Sequence, residues 1–199
     1  MADLEKTRKN LEGRGFRVHR FASGAEAAEF LVQTLHGTSI GIGGSVTIDT
    51  LGVYDRLCES NEVFWHWKNH APETRERAGK AATYLCSANG VSENGEIVNI
   101  DGFGNRVAGT IYGPERVFLV VGRNKIAPDL TGAIDRARNI AAPLNARRLN
   151  RHTPCAVGEP RCHDCRSPEK VCGVMTVFFM PPTSIKEFHV ILVDEDLGY

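Results

Sequence analysis

Strand-like and helix-like segments alternate along this chain, and that alternation limits the folds open to it more than any other feature of the sequence. Parallel strands have to be joined by crossovers, usually helical ones, so a βαβα order selects an α/β fold: a mostly parallel sheet flanked by helices. Leu4 and Leu11 mark one face of an N-terminal helix, and FRVHRFA (16–22) reads as a strand. Ser23-x-x-Glu26 is a capping box opening a helix whose apolar face carries Ala27, Phe30, Leu31 and Leu35. SIGI (39–42) is a short buried strand that ends in glycines before a helical stretch through Leu57. TYLCS (83–87), EIVNI (96–100) and VFLVV (117–121) read as further strands. A helix from Asp129 to Ala142 is interrupted by Pro143, and VMTVFFM (174–180) and HVILVDE (189–195) flank a Pro181-Pro182 turn. Asn94-Gly95 is a β-turn signal, which makes Glu93 a turn residue and not a catalytic acid.

With 199 residues, 42 % of them apolar, the chain can bury a full core as one domain over 1–199. Its parts are an N-terminal helix (1–14), an α/β core (15–150), a cysteine loop (151–173) and C-terminal strands (174–199). The 24 basic and 24 acidic residues leave no basic excess for general binding to nucleic acid or a membrane surface. No apolar run is long enough to span a bilayer. The start, MADLEKTRKNLEGRG, is charged and helical with no apolar leader, which places the chain in the cytoplasm with reduced thiols.

Four cysteines crowd eighteen residues near the end: Cys155, Cys162, Cys165 and Cys172, spaced C-x6-C-x2-C-x6-C. The central C-x-x-C lets one turn aim two sulfurs at a single metal, and the outer pair can fold back to complete an all-sulfur site. Four thiolates suit a [4Fe-4S] cluster or a zinc ion, and ligand type alone does not choose between them. His152 and His163 stand nearby and read as surface-loop histidines.

SIGIGGSVT places Gly41, Gly43 and Gly44 where a strand hands over to a helix, with Ser45 and Thr47 at the helix start. Such a loop exposes backbone amides at a helix N-terminus and suits a phosphate or carboxylate, although a plain tight turn has the same composition. The spacing is neither G-x-G-x-x-G nor a Walker A loop. In a parallel sheet, loops at the carboxyl ends of strands converge on one crevice. Asn89, Asp101, Gly104, Asn105 and Arg106 therefore join the glycine loop as candidate anion-binding residues. Arg123 and Lys125 follow VFLVV and add cations, of which Lys125 is the candidate ligand.

Cys58, on an expected helix, reads as core packing, and Cys86 as a buried structural cysteine in preference to a reactive thiol. His66 and His70 in FWHWKNH have i,i+4 spacing, a two-ligand pattern on a helix, while Trp65 and Trp67 suggest packing or an interface. Arg136, Arg138, Arg147, Arg148 and Arg151 precede the cysteines, and Arg161, Arg166 and Lys170 lie among them. Zinc ribbons beside arginines do bind nucleic acid, but without net basic charge or aromatic stacking residues the ordinary reading is a solvated face.

GIGGSVTIDTLGVYDRL, SANGVSENGEIVNIDGFGNRVAGTIYGPERVFLVVGRNKI, LNARRLNRHTPCAVGEPRCHDCRSPEKVCGV and the terminal VILVDEDLGY resemble the LUD-domain (lactate utilisation, LutC/YkgG-like) family from about Leu11 onward. The likeness is to its short, single-domain branch from anaerobes with C-terminal cysteines. Relatives read closer to T-S-A-N-A-I-T-E-D-G where this chain has Cys86 and Gly90. The resemblance implies a fold related to the NagB/RpiA/CoA-transferase-like group, whose glycine loop takes phosphate or CoA-type ligands. It also implies a part in lactate or organic-acid oxidation beside iron–sulfur redox subunits, with no catalytic residue to carry over. The expected protein is an iron–sulfur-binding component with an anion crevice, and the alternative is a zinc-stabilised metabolite-binding or regulatory module. Expected partners are a small anionic metabolite, redox subunits and a second copy of the chain through the tryptophans, with no membrane.

Overall fold

The structure, a computed structural model, describes residues 2–199. In chain order its strands are β1 (Arg17–Phe21), β2 (Ser39–Ile42), β3 (Glu62–Trp65), β4 (Thr83–Cys86), β5 (Gly90–Ser92), β6 (Ile97–Asp101), β7 (Arg116–Gly122), β8 (Ile126–Ala127), β9 (Val174–Phe178) and β10 (Glu187–Val193). The helices are α1 (Leu4–Gly13), α2 (Gly24–Thr34), α3 (Val46–Leu51), α4 (Tyr54–Cys58), α5 (Thr74–Lys80), α6 (Asn105–Ile111), α7 (Leu130–Arg136), α8 (Ala142–Arg148) and α9 (Pro154–Val157). Six strands form the central sheet in the order β1-β10-β7-β4-β2-β3, parallel at every pairing. The α/β fold with a mostly parallel sheet is thus as the alternation implies.

Both faces of that sheet are covered, so its inner strands carry buried apolar residues on both sides and not at every second position only. Phe118 and Val120 of β7 pack with Ile42, Leu85 and Ile191 under Ala27 and Leu31 of α2 and Ile48 of α3. Val117, Leu119 and Val121 point the other way, onto Leu11 of α1 and onto a second sheet through Val91, Ile97 and Phe178. Ser23 caps α2 by accepting from the Glu26 amide at 3.2 Å, and the Glu26 carboxylate accepts from the Ala22 amide at 3.0 Å, one residue short of the reciprocal box.

The second sheet departs from the sequence reading, which set EIVNI in the parallel series. It runs β8-β5-β6-β9, with β6 antiparallel to both β5 and β9. The β5–β6 turn is the expected one: Gly95 has φ +92° and its amide donates to the Ser92 carbonyl at 2.9 Å. Glu93 ties the turn to the chain start, accepting from the Asp3 amide and the Lys6 ammonium at 3.0 and 3.1 Å. The outer face of this sheet, Val98, Ile100 and Val177, lies against Ala133, Ala137 and Ala142.

Those alanines belong to one long helix, which Pro143 does not break as expected. Between α7 and α8 the backbone takes a π-helical turn at Ala137–Ala141. Proline has no N–H to give to the carbonyl four residues back, and widening the helix just before it accommodates both the missing donor and the ring. FWHWKNH is also different: β3 ends at Trp65 and a turn follows, so His66 and His70 do not share a helix face. Cys58 is exposed while Leu57 takes the core position. Among the described residues no helix is long and apolar enough to cross a membrane.

Candidate functional site

The loops after β2, β3, β4 and β7 of the parallel sheet meet, as strand topology requires, in one cleft of about 840 Å³, which the loop after β6 of the second sheet also reaches. Gly44, Ser45, Thr47, Asn89, Asp101, Asn105, Arg106 and Lys125 all line it, joining residues up to 81 positions apart in the chain, from Gly44 to Lys125. Gly41, Gly43 and Gly104 stand outside the lining. A Cβ on Gly41 would sit 2.0 Å from the Ala78 carbonyl oxygen, so this glycine lets α5 close on β2. Gly43 makes room for the Tyr84 hydroxyl and the Arg106 side chain, and Gly104 has φ +93° just before α6.

The anion-binding helix start expected at Ser45 is already filled. α3 has only six residues, and the Ser45 hydroxyl accepts from the Ile48 amide at 3.2 Å. Charge in the cleft comes from side chains instead. Seven basic side chains line it (Lys68, Arg75, Arg106, Lys125, Arg148, Arg151 and Lys170) against three carboxylates, Asp49, Asp101 and Glu169. Lys68 is paired with Asp49 at 3.2 Å, and the other six have no ion pair among the described residues. Asp101 instead accepts from the amides of Phe103, Arg106 and Val107, closing the turn into α6. Glu169 accepts from the His152 amide at 2.6 Å. An excess of unpaired cations in a recess attracts anions, and guanidinium forks suit carboxylate and phosphate.

Several of these groups carry no motif in the sequence. Arg75 lies over the Phe103 ring at 4.9 Å, and Arg148 lies over Trp67 at 4.5 Å while donating to the Tyr199 hydroxyl at 2.7 Å. Trp65 packs in the core behind Trp67, their ring centroids 5.6 Å apart. His66 lines the cleft with its Nδ1 buried and unpartnered among the described residues. Burial, then the nearby Arg75, pushes its pKa down to about 4, so the imidazole is neutral at neutral pH. A helix ending in arginines beyond a proline is the only trace of this wall in the sequence.

Lys125 forms the floor, only 2 % exposed. Its Nζ donates to Thr47 Oγ1 and Ser87 Oγ, each at 2.8 Å. Asn89 is a hub: its side-chain oxygen accepts from the Ile100 amide and from Arg106 Nη2, both at 2.9 Å, and its carbonyl accepts from Arg136. Arg136 is therefore a buried strut and not part of a basic surface. Cys86 lies fully buried nearby, and burial pushes its thiol up to about 12, an inert structural cysteine.

The opposite wall is the cysteine loop. Pro168–Val171 line the cleft, and the loop backbone at Val171 would stand 2.7 Å from a Cβ on Gly102. Cys155, Cys162, Cys165 and Cys172 are each half-buried in a stretch that is otherwise mostly exposed. The π-helical turn holds the loop: Asn139 Oδ1 accepts from the Cys162 amide at 2.8 Å, and Arg138 Nη2 donates to Cys162 Sγ at 3.3 Å. Arg147 holds the other end, donating to the carbonyls of Ala156 and Gly158 at 3.1 and 2.6 Å. Burial, first of all, pushes the Cys172 thiol above its ordinary range. Among the described residues, however, no three His, Cys, Asp or Glu side chains meet as a metal-holding group.

No curated protein matches the chain in sequence. Its fold is similar to that in a crystal structure of a DUF162 family protein from Deinococcus radiodurans, with a TM-score of 0.56 and 14 % identity over 96 % of this chain and 95 % of that one. The sequence profile of the LUD domain matches residues 4–193, from the first helix through the last strand of the central sheet. The chain that builds this cleft belongs to the LUD-domain family.

Proposed function

We propose that the cleft binds a small organic anion and that the protein serves in oxidation of lactate or a related 2-hydroxy acid, with the cysteine loop as the seat of a [4Fe-4S] cluster. The observation that carries this reading is the placement of five cations without ion pairs, beside the buried Lys125, in a cleft that shares a wall with the loop bearing the four cysteines. Arg75, Arg106 and Arg148 hold the carboxylate through guanidinium forks. The neutral His66, whose Nε2 lies beside Gly44 of the cleft wall, takes the proton of the substrate hydroxyl. Oxidation to the 2-oxo acid releases a second proton, from C2, to solvent, and two electrons, which the iron–sulfur partner subunits would take up one at a time.

The donor set fits such a centre. Four thiols fall within one segment of eighteen residues, Arg138 and the Asp164 amide donate to Cys162 Sγ at 3.3 and 3.4 Å, and the stretch between α9 and β9 that carries Cys162, Cys165 and Cys172 has no helix or strand to resist contraction. A cluster bound there supplies one-electron transfer at a potential set by such hydrogen bonds. The volume of the cleft, larger than a three-carbon acid needs, favours a second reading: a zinc-closed loop beside a site for a phosphorylated or acyl-CoA metabolite.

Protein purified without oxygen should carry about four irons with acid-labile sulfide and a visible charge-transfer band. It should bind lactate or pyruvate by calorimetry. One zinc without colour selects the second reading. Protein with neither metal, and with no affinity for lactate, pyruvate, phosphate or coenzyme A, refutes both.

A further inference from the structure

Lys125 is placed unlike the other cations of the cleft. They line its walls as solvated guanidinium or ammonium groups, whereas Lys125 is buried under hydroxyls with no carboxylate partner among the described residues. We infer that Lys125 is an imine-forming residue, its side-chain amine condensing with the carbonyl of a 2-oxo carboxylate held in the cleft. The inference rests on the anion-binding reading and adds a covalent step to it.

The hydrogen bonds fix which way the amine faces. Thr47 Oγ1 donates to the Leu197 carbonyl at 3.2 Å, and Ser87 Oγ donates to the Val120 carbonyl at 2.6 Å. Each hydroxyl has spent its one hydrogen, so each can only accept from Nζ. Two N–H bonds and the bond to Cε occupy three tetrahedral positions, the fourth has no protein partner among the described residues, and Lys125 lines the cleft. On a neutral amine that fourth position is the lone pair.

The surroundings favour the neutral amine. Arg106 from α6 and Arg136 from α7 both bear on Lys125, and the thiol of Cys86 on β4 is the third titratable neighbour. Arg106 is fixed by donating to Asn89 Oδ1 and the Ile100 carbonyl, and Arg136 by donating to the carbonyls of Asn124 and Asn89, so neither cation can swing away. The Cys86 thiol is itself un-ionised at neutral pH and supplies no compensating anion. Burial first, and then these two guanidinium groups, hold the Lys125 pKa well below its ordinary value. Lowering the pKa raises the share of neutral, nucleophilic amine.

The step balances without an oxidant. The lone pair on Nζ attacks the 2-oxo carbon, the C–N bond forms, and the carbonyl oxygen leaves as water with the two hydrogens of the amine. Borohydride then reduces the C=N bond and makes the adduct permanent.

The protein is incubated with pyruvate at neutral pH, treated with borohydride, and read by intact mass and peptide mapping, with calorimetry on the same preparation. The expected result is one carboxyethyl-lysine per chain, at Lys125, and none in Lys125→Met. Trapping at Lys125 should fall on addition of excess phosphate. Pyruvate binding without an adduct at Lys125, or adducts spread equally over Lys68 and Lys170, overturns the inference and leaves anion binding intact. No binding of pyruvate, lactate or phosphate overturns both together. The map of the native protein decides the matter even if Lys125→Met fails to fold.

Discussion

Acidification should weaken the fold through His189, and the size of the effect follows from its surroundings. His189 on β10 is 7 % exposed and stacks on Phe118, with ring centroids 4.2 Å apart and planes within 3°. Its Nδ1 faces His19 Nε2 on β1 at 3.0 Å, so one ring must donate and the other accept, and a proton on both would set two donors against each other. Burial pushes the His189 pKa down to about 4; the contact with Glu187 works the other way, and His19 and Arg17 add to the fall. The unfolded chain binds a proton near pH 6.5 and the native one only near pH 4, so stability is complete above the first value and falls as pH drops toward the second. Between pH 7 and pH 5 this one group removes about 2 kcal/mol. Urea unfolding at pH 5, 6 and 7 measures it, compared with His189→Phe, which keeps the stack on Phe118 and cannot titrate. The variant should lose about 2 kcal/mol less than the native protein over that range, at unchanged m-value. Parallel stability lines for the two proteins would refute the assignment of a buried, neutral His189.

Three other outcomes test the cleft and its supports. Arg75→Gln removes a cation that lies over Phe103 and has no ion pair, so calorimetry should show pyruvate affinity falling about three- to tenfold at low salt, with the melting temperature unmoved. Asn139→Ala deletes the acceptor of the Cys162 amide, costing about 1 kcal/mol locally, and should speed hydrogen exchange at Cys162 without changing exchange in β7. Gly41→Ala sets a methyl 2.0 Å from the Ala78 carbonyl oxygen and should destabilise the protein by about 3 kcal/mol or more, read from its urea midpoint.

The central sheet is legible in the sequence because its strands are buried on both faces. VFLVV and VILV are continuous apolar runs that a one-sided sheet would not tolerate. The second sheet is not legible, since β5 and β8 have three and two residues and are held by pairing and not by a pattern of their own. Pro143 reads as a stop because proline ordinarily ends a helix, and only the π-helical turn before it lets the chain continue to Arg148. The crevice follows from strand-end topology, which needs no motif, and eight of the eleven residues proposed for it from sequence do line the cleft. Glycines mislead there, because a Gly required for helix packing, as at Gly41, looks the same in sequence as one that admits a ligand. Arg75 has no motif, and His66 and Arg148 read as parts of a helical ligand pair and of a solvated face; tertiary packing brings all three to the cleft.

The order of strands in the central sheet also sets a timetable for folding. β1 has β10 as its one neighbour there, and Arg17 is joined to Glu187 across 170 residues of chain. While the chain is being synthesised, β1 has no edge to pair with until β10 emerges, and β7 likewise waits for its second neighbour. The apolar faces of α1 and α2, which rest on these strands, stay unburied for the same interval. Pairing so distant in sequence carries a loop-closure cost that slows folding and leaves strand edges open to other chains. The last strand therefore acts as a latch. The cleft, whose floor includes Thr47 bonded to the carbonyl of Leu197, takes shape only once that latch has closed.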